Sequence, residues 1–150
     1  MSYCTVEEVR KVLRDEAINK IVADEYIEDE TQREAMLIPI IEEAIKDADG
    51  EIDGYLNKRY STPLPSPVPR IISKLSKDIA VYNIFSRIGI DEEDREKTVL
   101  TRYRNAIKFL ENVARGIIDI GTQKIETRAK NSFVVNANTR LFSRDSLKGM

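Results

Sequence analysis

Asp47-Ala-Asp-Gly-Glu-Ile-Asp53 sets four carboxylates around one glycine, and a lone arginine, Arg59, follows between Tyr55 and Tyr60. Alternating oxygen ligands about a central glycine are the ingredients of a calcium loop. With Gly50 taken as the loop glycine, Ile45 falls where the first carboxylate belongs and Leu56 where the bidentate glutamate belongs. Both positions continue an apolar helical stripe, and opening a loop there would break a core. The expected reading is a solvated helix face, with no metal.

Arg59 lies near the apolar sector of that helix when it is continued, where an unpaired charge is costly. Asp78 or Asp49 is the expected partner, in an ion pair that fixes the chain's corner; an exposed anion-binding arginine is the alternative. Tyr55 and Tyr60 are expected to pack, with their hydroxyls at the rim.

Other catalytic chemistry finds little to work with. Histidine is absent, which removes the usual general base at neutral pH and the commonest metal ligand. Ser73-Lys-Leu-Ser-Lys77 has the wrong order for a Ser-x-x-Lys dyad, and no glycine-rich turn follows a strand to cradle phosphate. Acid pairs arise by chance at this density of charge. The only cysteine, Cys4, has no disulfide partner and no neighbouring cationic cluster to lower its pKa, so a reducing compartment is expected. No enzyme activity and no cofactor are expected.

The elements that would hold these residues are helical. Thr5-Val-Glu-Glu8 reads as a capping box ahead of Val9, Val12 and Leu13, which predicts a short first helix. Residues 15–23 could add a turn or two, and the acidic stretch 24–32 reads as a loop. From Ile38, the spacing of Ile41, Ile45, Ala48, Ile52, Tyr55 and Leu56 keeps one stripe apolar. Pro39 stands at the start of this helix, or kinks it if helix extends upstream to Gln32. Gly50 and Gly54 fall opposite the stripe, for close approach of another backbone or simply as tolerated exposed positions. Pro63, Pro65, Pro67 and Pro69 then forbid helix and form a stiff elbow. A second stripe runs through Val68, Ile71, Ile72, Leu75, Ile79, Tyr82 and Ser86, with Gly89 as its stop. A third runs through Val99, Tyr103, Ala106, Ile107, Leu110, Val113 and Ala114 to Gly116.

The prediction is an all-α bundle over residues 1–120, with three main helices and a short N-terminal one. Residues 121–150 read as an extended C-terminal arm, with a short β-hairpin as an option. Its apolar side chains Phe133, Val134, Val135, Leu141 and Phe142 are too few for a core and call for a partner surface, flanked by Arg140 and Arg144. The arm's cations, which also include Lys124, Arg128, Lys130 and Lys148, give the rival reading of a regulatory or nucleic-acid-binding helical protein.

Bulk properties set the outer bounds. The 150 residues suit one domain, and 24 Lys and Arg against 26 Asp and Glu leave a net charge of -2, with no overall drive toward nucleic acid. Neither an apolar run of membrane length nor a signal-peptide plan is apparent, so a soluble intracellular protein is expected.

The runs Ile52 to Pro65, Ser76 to Tyr82, Tyr103 to Gly116 and Phe142 to Met150 resemble the Mu-type phage and prophage family of small virion-module proteins. In that family a helix ending in a Tyr-Leu…Arg-Tyr pattern meets a proline elbow and an Asp-Ile-Ala-containing helix. The resemblance implies a head-to-tail connector or adaptor in the neck of a tailed phage, made in the host cytoplasm and ending in the virion. It also implies a homo-oligomeric ring, a dodecamer by analogy, with a C-terminal segment gripping the portal protein. A further neck or tail protein would follow, and DNA would pass through without specific binding.

Overall fold

A computed structural model describes residues 2–22, 28–89 and 96–125. Five helices follow in order: α1 (Val6–Arg10), α2 (Asp15–Val22), α3 (Glu30–Leu56), α4 (Arg70–Ser86) and α5 (Glu96–Arg115). Among the described residues there is no strand, only an isolated antiparallel bridge between Tyr60 and Lys124. The all-α prediction holds: α3, α4 and α5 are the three main helices, and the N-terminal part contains two short ones.

The ends of these helices follow from their caps. Thr5 accepts from the Glu8 amide while the Glu8 side chain accepts from the Thr5 amide, completing the predicted box. Asp29 caps α3 by accepting from the Thr31 amide at 3.0 Å. That cap starts α3 eight residues upstream of the first stripe residue, Ile38, and places Pro39 inside the helix. Leu37 is the side chain that turns into the core there, while Ile38 is 43% exposed. The acidic lead-in is held by a tertiary contact, since Arg10 binds Glu34 at 2.6 Å and Asp15 at 3.1 Å. Residues 30–32 of the stretch read as loop are thus helix, and a charge partner distant in sequence holds the turn that follows them.

The three main helices share one core. Ile41, Ala48, Ile52 and Leu56 of α3 meet Ile72, Ile79 and Ile84 of α4 and Leu110 and Val113 of α5. Helix α4 runs antiparallel to α3, because Ser76 reaches Asp49 while the later Asn83 reaches the earlier Ala44. Helix α5 runs parallel to α3, with Tyr103 on Glu51 and, further along, Val113 on Arg59 just past the end of α3. α1 and α2 lie on α3, and α1 also touches α4. Ile45 and Leu56, the residues at the ends of the would-be calcium loop, are 4% and 0% exposed, so residues 45–56 are unbroken helix facing the core.

Candidate functional site

The corner after α3 turns on Arg59 and Tyr60. Neither Asp78 nor Asp49 pairs with Arg59, correcting the expected ion pair. Arg59 donates instead from Nη1 to the Val113 carbonyl of α5 at 3.2 Å. The local reason is the way α5 ends. Gly116 adopts φ 84°, its amide bonds the Val113 carbonyl, and the Ile117 amide bonds the Asn112 carbonyl, a Schellman motif. Carbonyls at a helix C-terminus carry partial negative charge, and the guanidinium supplies the cation they favour. A Cβ at Gly116 would collide with Arg59 Nη1, so the glycine serves both its own backbone and its neighbour's side chain.

Tyr60 continues the same arrangement. Its side chain is fully buried, beyond the rim position expected of it, and its hydroxyl donates to Asp119 at 3.1 Å while accepting from the Ile120 amide at 3.4 Å. Asp119 also accepts from the Gly121 amide at 2.9 Å and forms an ion pair with Lys124. Lys124 above all, then the Gly121 amide and Tyr60, hold the Asp119 carboxyl down at about 2. The Ile125 amide donates to the Arg59 carbonyl at 2.9 Å. Residues 121–125, the root of the predicted arm, are thereby fastened antiparallel to Arg59–Tyr60.

Asp49 belongs to a second cluster that the sequence does not announce. It accepts from Ser2 Oγ at 2.7 Å, from the Tyr3 amide at 3.3 Å and from Ser76 Oγ at 2.9 Å. The Tyr3 hydroxyl donates to Asp53 and accepts from the Leu64 amide at 3.0 Å. Burial, followed by the bond to Asp53, pushes the Tyr3 hydroxyl well above the usual phenol range. One tyrosine thus joins the N-terminal segment, α3 and the elbow. The signal available for it in the sequence is Asp49 and Asp53, one helical turn apart.

The other residues singled out by type and spacing divide. Pro63 and Pro65 are exposed and flank buried Leu64, the elbow's anchor in the core, and Tyr55 packs half-buried against that core. Asp78 is pushed up by burial, and the cations acting on it are Arg102, Lys74 and Lys77. Tyr103 stacks on Tyr82 with ring centroids 3.8 Å apart, and burial beside Glu51 pushes its hydroxyl up to about 12. Cys4 is buried against Ser76, and burial raises its thiol. Phe133, Val135, Arg140, Leu141, Phe142 and Arg144, like the hairpin option, lie outside the described residues. Among the described residues no group of three or more acids or thiols is placed to hold a metal ion, and no helix is long and apolar enough to cross a membrane.

Both clusters are fasteners, joining the chain's outer segments to the bundle through hydrogen bonds. A family model described as "Bacteriophage Mu, Gp36" matches residues 3–137, a span that takes in both clusters apart from Ser2. "Mu-like prophage FluMu protein gp36" of Haemophilus influenzae is 29% identical over 111 residues, covering 73% of this chain and 74% of that protein.

Proposed function

This chain belongs to the Bacteriophage Mu, Gp36 family, and on that premise we propose that it is a structural virion protein, a head-to-tail connector in the particle neck. The helical body docks on the portal ring, side by side with copies of itself, and the C-terminal arm grips the portal. A tail-side protein completes the joint, and DNA passes without specific binding. No catalytic step is assigned to the chain.

The observation that supports this reading best is the fastening of the arm's root. Arg59 and Tyr60 hold residues 121–125 to the end of the bundle, which fixes the chain up to that point. A fixed departure point reduces the conformational freedom lost when an arm seats on a partner. Phe133, Val135, Leu141 and Phe142 give that arm apolar anchors, with Arg140 and Arg144 beside them.

Deletion of residues 122–150 tests the proposal. The expected result is a folded body that no longer joins portal rings and particles whose heads remain without tails. Infectious particles assembled with the truncated chain would refute it.

A further inference from the structure

The net charge of -2 conceals a strong separation of charge along the chain. The first 60 residues hold sixteen acids and eight bases, whereas residues 96–150 hold eleven bases and five acids. The helices express the same polarity, since α3 carries eight carboxylates against Arg33 and Lys46, and α5 carries five cations against Glu96 and Glu111. Among the described residues no ion pair joins α3 to α5. Each copy therefore offers a basic stripe and an acidic one that it does not use against each other.

The exposed members have matching spacing. Arg104 and Lys108 stand one turn apart on the solvent side of α5, in no ion pair among the described residues. Glu43 and Asp47 stand one turn apart on the solvent side of α3, Glu43 sharing one oxygen with Arg87 at 2.7 Å while its side chain stays 65% exposed. Each pair spans about 6 Å along its helix. Gly50 and Gly54 continue the α3 face, with nothing beyond their own stretch of helix within 4 Å of where a Cβ would stand, which leaves room for a neighbouring helix.

We infer that the α5 stripe of one copy docks on the Glu43–Asp47 face of α3 in the next, a head-to-tail contact between identical chains. A polyanion would satisfy only the basic stripe of a net-acidic chain, but a second copy uses both stripes at once. Two different surfaces meeting in this way repeat around a ring when the rotation closes. The inference deepens the connector reading and rests on it for the ring; the contact itself rests on the charges.

The test is self-association of the full chain by sedimentation velocity, in low and high salt, for the natural sequence and three charge-swapped variants. R104E/K108E and E43K/D47K should each weaken association by more than about tenfold, and salt should weaken the natural chain. Combining the four substitutions should restore association, which a merely misfolded variant would not do. A natural chain that stays monomeric in low salt, or swaps without effect, overturns the inference. So does a result in which R104E/K108E abolishes salt-dependent binding to duplex DNA and leaves self-association unchanged. Failure of the connector reading would appear separately, as heads joined to tails in particles lacking this chain.

Discussion

The guanidinium of Arg59 occupies the space that a side chain at position 116 would need, and Gly116 leaves that space open. Two requirements therefore meet at Gly116: a backbone at φ 84° and room for an arginine that caps α5 from another element. Gly116→Ala is expected to cost about 1–2 kcal/mol for the left-handed backbone alone, with a further cost for displacing Arg59. Urea denaturation measures it. In an Arg59→Ala background the same substitution should cost less, because the collision is gone, so the two changes should be non-additive.

Arg59→Ala itself should lower stability by about 1–3 kcal/mol, the range for losing a hydrogen bond made by a charged group. The body's helical content should be unchanged. A loss of portal binding without any loss of stability would contradict the structural role assigned to Arg59.

The polar cluster at the N-terminus makes a prediction about a single oxygen. Tyr3→Phe removes the acceptor for the Leu64 amide and the donor to Asp53, and should cost about 1–3 kcal/mol in thermal or urea unfolding. An unchanged unfolding midpoint would show that the N-terminal segment does not brace the elbow.

Asp119 provides a pH readout for the arm's root. Its carboxyl is held low in the folded chain, so its contribution is present above the ordinary carboxylate range and is lost as pH falls toward about 2. An NMR titration of the Asp119 carboxyl should show a midpoint near that value. Lys124→Ala and, to a smaller extent, Tyr60→Phe should move the midpoint upward. A midpoint in the ordinary carboxylate range for the natural chain would mean that the root is not fastened in solution.

Much of this architecture is legible in the sequence, and the exceptions have a common cause. Periodicity marks the three main helices, the capping box marks α1, and Gly116 marks the end of α5, because each is a signal local to a few residues. The extension of α3 to Glu30 is not readable from its own acidic residues, since Arg10 from α1 holds it. The partner of Arg59 escapes for a related reason. Pairing rules for charges look for carboxylates, whereas the partner is a main-chain carbonyl whose availability depends on how α5 terminates. The Asp49 cluster is visible as acids but not as a site, because its donors come from Ser2, Tyr3 and Ser76, well separated in the chain. The resemblance to Mu-type phage proteins, carried by the Tyr-Leu…Arg-Tyr run and the proline elbow, agrees with the family match. Arg59 and Tyr60 of that run are the residues that fasten residues 121–125 to the bundle.

The proposed role is that of the joint between head and tail. An electron-microscopy reconstruction of the particle neck tests it most directly. The expected result is a ring of α3–α4–α5 bodies seated on the portal, with each C-terminal arm lying against it. A completed neck with no density for this chain would contradict the connector role.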